Sequence, residues 1–301
     1  MFPIIPANSA AAASGNDEGI FGFGNPSTAV TNLVSNAGVV ATDTTGVGTA
    51  RWYLAACSYG GDKGMFGYGY APSANYYSIT NLVSNAGVVA TDTTGVGTGR
   101  MTKACSYGND KAIFGYGNDG SIDVSITNLV SNAGVVSSDV TGVGTARYGL
   151  AACGYGGDKG IFGFGSLASS FSMTNLVSNA GVVSTDVTGV GTGRSMLAAC
   201  SYGDDKGMFG YGYILDVAVY SMTNLVSNAG VVSTDTTGVG TARRSLAACS
   251  YDVDKGIFGF GNIGGGSNVS MTNLVSNAGV VSTDTTGVGT ARRNLAACSF
   301  N

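Results

Sequence analysis

Short apolar runs broken by turn residues recur along nearly the whole chain. In one stretch they are Leu54 to Tyr59, Gly64 to Gly69, Ser78 to Ser84 and Gly87 to Thr91, parted by Gly, Asn and Asp. Runs this short, rich in β-branched and aromatic residues and bounded by turn formers, predict β-strands, here lettered a to d. Strand b alternates glycine with aromatics, as in Gly64-Met65-Phe66-Gly67-Tyr68-Gly69. With a side-chain period of two, one face carries rings and the other almost bare backbone, which suits tightly stacked sheets. A nucleotide-binding reading of these glycines fails, because no helix follows them.

The pattern is periodic. Thr-Asn-Leu-Val-Ser-Asn-Ala-Gly-Val-Val begins at Thr31, Thr80, Thr127, Thr174, Thr223 and Thr272, at spacings of 47 to 49 residues. That is the period of propeller blades. The expected fold is therefore all-β, a six-bladed β-propeller of four-stranded blades. The chain enters at Gly19 to Gly24, a strand b without its a, and leaves at Leu295 to Phe300, a strand a without its b. Pairing the N-terminal b with the C-terminal a is expected to complete blade six and close the ring, removing free sheet edges. Residues 19–301 then form the propeller and residues 1–18 an N-terminal arm, with Phe2, Pro3, Ile4, Ile5 and Pro6 as its candidate anchor.

Composition agrees with this reading. With 50 Gly, 44% hydrophobic and 11% charged residues in 301, the chain is too apolar for disorder and too glycine-rich for a helical protein. A net charge of −4 without any Lys or Arg run leaves no footprint for gripping a phosphate backbone, so no nucleic-acid partner is expected. No apolar stretch approaches the roughly 18 to 20 residues of a membrane helix, so no membrane insertion is expected, and the opening residues lack the basic start of a secretory signal. Cys57, Cys105, Cys153, Cys200, Cys249 and Cys298 hold the same place in successive units. Equivalent inner-strand positions around a ring should lie roughly 8 to 10 Å apart, beyond disulfide reach, which predicts buried free thiols in a reducing compartment.

The absence of histidine removes His-based triads, His metal sites and the copper chemistry of some propeller oxidases. Asp43, Asp92, Asp139, Asp186, Asp235 and Asp284 each precede Thr or Val, then Thr and Gly, the composition of an Asx-type turn, with a shared cation site as the alternative. Arg51, Arg100, Arg147, Arg194, Arg243 and Arg292 are expected to pair with carboxylates or carbonyls between blades. The pairs Asp62-Lys63, Asp110-Lys111, Asp158-Lys159, Asp205-Lys206 and Asp254-Lys255 read as solvated charges of the a-to-b turn. A glycosidase needs two carboxylates in distinct environments, which equivalent copies do not supply; the non-repeated ones are chiefly Asp119, Asp123, Asp216 and Asp252. No catalytic residue, metal or cofactor is expected.

Where the units differ is more informative. The b-to-c segments Asn25 to Val30, Tyr70 to Ile79, Asn118 to Ile126, Ser166 to Met173, Tyr213 to Met222 and Asn262 to Met271 vary in length and chemistry. So do the residues after the repeated Arg: Trp52-Tyr53, Met101-Thr102-Lys103, Tyr148-Gly149, Ser195-Met196, Arg244-Ser245 and Arg293-Asn294. In an up-and-down blade both connections emerge at one end, while the a-to-b and c-to-d turns form a uniform opposite end. A variable loop face on a rigid scaffold suits a binding module, with Trp52, Tyr53, Tyr76, Tyr77, Tyr148, Phe171, Tyr213 and Tyr220 as candidate binding residues; neutral drift of exposed loops is the alternative.

The order of Arg, apolar strand, short turn and a strand ending in aromatic and Gly, as in Arg147, Leu150 to Tyr155 and Gly160 to Gly165, resembles the kelch repeat in all six units. Near-identical repeats headed by a short Pro- and Ala-containing arm also resemble virion proteins of tailed bacteriophages, particularly tail or fibre components. This resemblance implies a non-enzymatic virion structural protein, assembled in the host cytoplasm. Its arm and uniform face would meet other virion proteins, and its variable face a host-surface glycan or protein. The alternatives are a cytoplasmic kelch-like adaptor or lectin, a propeller glycan hydrolase or lyase, and a consensus-designed propeller.

Overall fold

A computed structural model describes residues 17–72 and 75–300; the candidate anchor Phe2 to Pro6 lies outside them. Among the described residues every regular element is a strand. In chain order these are β1 (Glu18–Gly24), β2 (Thr28–Val34), β3 (Ala55–Tyr59), β4 (Lys63–Gly67), β5 (Tyr70–Ala71), β6 (Asn75–Tyr76), β7 (Thr80–Val83), β8 (Met101–Tyr107), β9 (Lys111–Asn118) and β10 (Asp123–Val130). They continue with β11 (Ala151–Tyr155), β12 (Lys159–Gly163), β13 (Thr174–Val177), β14 (Ala198–Tyr202), β15 (Lys206–Ile214), β16 (Ala218–Val226), β17 (Ala247–Tyr251), β18 (Lys255–Gly259), β19 (Thr272–Val275) and β20 (Ala296–Phe300).

The fold is all-β and propeller-like: each repeat forms an antiparallel three-stranded sheet in the order a-b-c, for example β3-β4-β7, and β5-β6 make a small separate ribbon. Within the first full unit the ladder runs from Ala55↔Gly67 to Tyr59↔Lys63 and from Gly64↔Val83 to Gly67↔Thr80. The complementary chain ends meet, since β1 pairs with β20 from Glu18↔Phe300 to Gly22↔Ala296.

The fourth run of each unit is attached differently from the other three. Val89 bridges Val83 and Thr93 bridges Thr80, but no continuous ladder joins them. The stretch between is held by one backbone bond, Ala90 N–H to Leu82 O at 2.8 Å, and by Asn81 Nδ2, which donates to Ala90 O at 3.0 Å and to Asp92 Oδ1 at 2.8 Å. Strand b is also shorter than its apolar run. It stops at Gly67 where Tyr68 takes φ 63°, and β12 and β18 likewise end before Phe164 and Phe260. By contrast β1, β9 and β15 run on past Phe23, Tyr116 and Tyr211, which take the same left-handed φ, with a register shift there. A bulky residue there is strained and persists only where its surroundings over-determine it.

Neighbouring sheets pack through the glycine and aromatic alternation. A Cβ on Gly67 would stand 2.7 Å from Phe114 Cζ of the next sheet, so glycine is what lets the sheets approach. Each core cluster spans two consecutive sheets; one joins Tyr59, Met65 and Tyr68 to Ala112, Phe114 and Val130. Another joins Ile20, Phe23 and Phe300 to Leu54, Phe66 and Val83. The a strands follow one another side by side, β3, β8, β11, β14, β17 and β20, with β20 again beside β3. Their Ala, Cys and Ser or Gly residues surround a common axial passage. All six cysteines are buried free thiols, as expected.

Candidate functional site

The repeated polar residues form one device, built in every unit. Arg51 is fully buried and donates from Nε to Tyr68 O at 2.6 Å, from Nη1 to Thr49 O at 3.0 Å and from Nη2 to Asn81 Oδ1 at 2.7 Å. Its guanidinium lies 4.6 Å from the centroid of the Phe23 ring in the preceding sheet. Burial pulls the Arg51 pKa down to about 10, while Asp92, 3.9 Å away, pulls it up. Arg51 thus holds the left-handed Tyr68 carbonyl, and the Tyr68 ring in turn carries Arg100 at 4.7 Å. These arginines are structural, tying sheet to sheet as their periodicity suggested.

The aspartates depart from expectation. Asp92 caps no Asx turn; it accepts from the Thr49 N–H at 3.0 Å and the Thr49 hydroxyl at 2.6 Å, on the linker arriving from the preceding sheet. The same clamp joins Asp139 to Thr98, Asp186 to Thr145, Asp235 to Thr192, Asp284 to Thr241 and Asp43 to Thr290. Local composition could not reveal it, because the partner stands 43 residues away. Partial burial alone would raise the Asp92 carboxyl, but the Thr49 hydroxyl, the Asn81 amide, the Thr49 N–H and Arg51 outweigh it and hold it below the usual 3.8.

The end bearing the a-to-b turns is uniform. Lys63, Lys111, Lys159 and Lys206 each pair with the preceding aspartate. In the fifth unit Lys255 turns to Asp252 at 2.6 Å instead, and Asp254 accepts from Asn277. Exposed pairs of this kind contribute little.

At the other end the two variable segments are bonded to each other in every unit, through Trp52↔Tyr70, Met101↔Asn118, Tyr148↔Ser166, Ser195↔Tyr213, Arg244↔Asn262 and Asn25↔Arg293. The candidate aromatics fall into separate groups. Trp52 and Tyr76 join Tyr70, with ring centroids 5.5 and 5.0 Å from it. Tyr70 opens the first variable loop and belongs with the candidates on that ground. Tyr213 lies under Arg244, 4.3 Å from the ring centroid, and its hydroxyl accepts from the Asp216 N–H. Tyr53 and Tyr148 line the mouth of the axial passage. Tyr77 and Phe171 are set by backbone bonds to Gly69 O and Gly165 O, and Tyr220 sits in β16 opposite Gly212. No ring contact joins these last three to the other candidates among the described residues.

The mouth has a construction of its own. Tyr53, Gly149, Met196, Ser245 and Asn294 all have φ between 54° and 65°. Their backbones form a circuit around the axis: Tyr53 N–H donates to Asn294 O, Asn294 to Ser245, Ser245 to Met196 and Met196 to Gly149, at 2.6 to 2.9 Å. Thr102 N–H reaches Tyr53 O at 3.4 Å, and among the described residues the Gly149 N–H has no partner. The break falls at the second unit, which has one residue fewer between Arg and Cys than the first. There β8 shifts register between Met101 and Lys103, and Lys103 stands opposite Gly115 where the first unit places Ala55 opposite Gly67.

Lys103 lines both the mouth, a narrow cleft open to solvent with about 30 Å³ of room inside it, and the alanine-lined passage beneath it. Loss of water around it pulls its pKa down to about 8. The chain has 14 Lys and Arg. Eleven of them have a carboxylate within 4.0 Å. The three without one among the described residues are Lys103, Arg244 and Arg293; Lys103 lines this mouth, while Arg244 and Arg293 precede the lining residues Ser245 and Asn294 and are near enough to Tyr53 to act on its hydroxyl. Burial pushes the Tyr53 hydroxyl pKa up, while its bond to Asn294 and the nearby Arg293 and Arg244 pull it down. Lys103 occurs in one unit only, whereas Arg244 and Arg293 hold equivalent places directly after the repeated arginine in two successive units.

No family model matches this chain, and no curated protein matches it.

Proposed function

We propose that the chain is a closed six-bladed propeller of four-stranded blades acting as a non-enzymatic binding module, with its non-repeated end facing the ligand. The observation that carries this reading is the pairing of the two variable segments in every unit, which gathers the chemistry that breaks the repeat at one end of a repetitive scaffold. The Arg–Asn–Asp–Thr device fixes that scaffold, so loop chemistry can change without disturbing it. The repeated carboxylates are committed to threonines of neighbouring linkers, which leaves them no role as an acid and base pair.

The aromatic group Trp52, Tyr70 and Tyr76 offers flat apolar area with polar edges, the surface that stacks on sugar rings or anchors a protein loop. In keeping with the resemblance of its repeats, the chain serves as a tail or fibre component of a tailed phage virion, and its partner is a host-surface glycan. A glycan-array screen tests this with the native chain and the Trp52→Ala/Tyr76→Ala variant. Selective binding that the variant loses supports the reading. An array without signal, together with absence of the chain from purified virions, overturns it in favour of a cellular adaptor.

A further inference from the structure

Among the described residues the axial mouth holds the only break in an otherwise repeated backbone circuit, and both groups left over at the break lack a partner there. The Lys103 ammonium has no hydrogen bond or ion pair among the described residues, and the Gly149 N–H has no acceptor, yet both residues line the same cavity. A half-buried ammonium without a partner is costly to maintain, and five of the six units avoid it with alanine at this register. Arg244 and Arg293, whose charges act on Tyr53 of the cavity wall, add positive potential from outside the cavity, and no carboxylate lines it. Its walls combine apolar and aromatic residues, among them Tyr53, Tyr148, Met196 and Leu150, with the neutral polar Thr102, Ser245 and Asn294.

We propose that this mouth is an anion site, taking the carboxylate of an acidic saccharide on Lys103 and the Gly149 N–H, with the sugar body against Tyr53 and Tyr148. Two acceptor oxygens on one carbon match two donors, and a single negative charge suits a cavity with one cation inside and two outside it. The inference rests on the binding-end reading above and names the ligand class there.

Isothermal titration of the purified full chain with glucuronate, and separately with the neutral methyl glucoside, tests it. Glucuronate is expected to bind with one site per chain. Lys103→Met should weaken it about tenfold or more, the value of one charged hydrogen bond, while Lys103→Arg keeps most of the affinity. Thermal unfolding of each variant establishes that it folds. Equal binding of glucuronate and methyl glucoside, unaffected by Lys103→Met, overturns the carboxylate site but leaves glycan binding by the aromatic loops standing. No binding of glucuronate at millimolar concentrations overturns the anion site as well.

Discussion

Arg51 Nη2 donates to Asn81 Oδ1 at 2.7 Å while the same amide donates through Nδ2 to Asp92, so one asparagine side chain couples a buried cation to a half-exposed anion. The pair spans the linker, strand c and the fourth run, and the Arg51 stack on Phe23 carries it into the preceding sheet. Replacing Arg51 with Leu leaves Asn81 Oδ1, Tyr68 O and Thr49 O without their donor and removes the support of the left-handed Tyr68. The expected loss is about 3–5 kcal/mol, read from urea unfolding. The exposed control Lys159→Met should unfold at the native midpoint; equal behaviour of the two variants would refute the device as the main tie between sheets.

The six clamped aspartates make stability fall in acid. Each folded carboxyl titrates below its ordinary 3.8, so the unfolded chain takes up protons first as pH drops. The contribution is fully present above the unfolded value and is lost below about 3.8, as pH passes through the folded values. Chemical-denaturation midpoints measured from pH 6 down to pH 2 should hold steady and then drop. Asp92→Asn/Asp186→Asn should be less stable at pH 6 and show a shallower drop; an identical pH profile would count against the clamp.

Periodicity made the architecture legible: the phase of the Thr-Asn-Leu-Val segment placed every b and c strand, and the complementary ends anticipated the β1–β20 pairing. What local sequence hid was long-range. Asp92 looks like a turn residue because Thr and Gly follow it, yet its donors come from Thr49 across a sheet boundary. Tyr68 looks like a strand residue, yet Arg51 draws its carbonyl out of the ladder. The aromatic candidates were visible as variable positions, but only the fold divides them into the Trp52 cluster, the Arg244–Tyr213 stack and the mouth residues Tyr53 and Tyr148.

Each cysteine packs on the b strand of the next sheet. A Cβ on Gly160 would come within 2.5 Å of Cys105 Sγ, and one on Gly207 within 2.7 Å of Cys153 Sγ. Burial pushes the Cys153 thiol up to about 12, which suppresses the reactive thiolate. Native protein should therefore give no reaction with a thiol-specific disulfide reagent at pH 8, and all six cysteines should react in denaturant. Gly207→Ala should destabilise by about 1–3 kcal/mol through overpacking, and Cys153→Ala in the same chain should restore part of the loss. Simple additivity of the two substitutions would show that the sulfur and the glycine do not share one space.

Lys103 is where local rules and function pull apart. A lysine in a passage lined by alanine and leucine has a pKa of about 8 because water is withdrawn from it, against 10.5 when exposed. Folding then expels a proton over the interval between those values, so this residue opposes folding most below pH 8 and progressively less up to pH 10.5. Lys103→Met should stabilise the protein by about 1–3 kcal/mol at pH 7, with the gain shrinking towards pH 10. Competitive acylation offers a second reading at pH 8.5, where Lys103 should have a larger uncharged fraction than Lys111 or Lys159, whose bonds to Asp110 and Asp158 raise their pKa. A stabilised variant that also loses glucuronate would identify the cost of this lysine as one maintained for binding. A destabilised variant would mean that Lys103 holds the bulge of β8 in place, and the anion site would lose its physical basis.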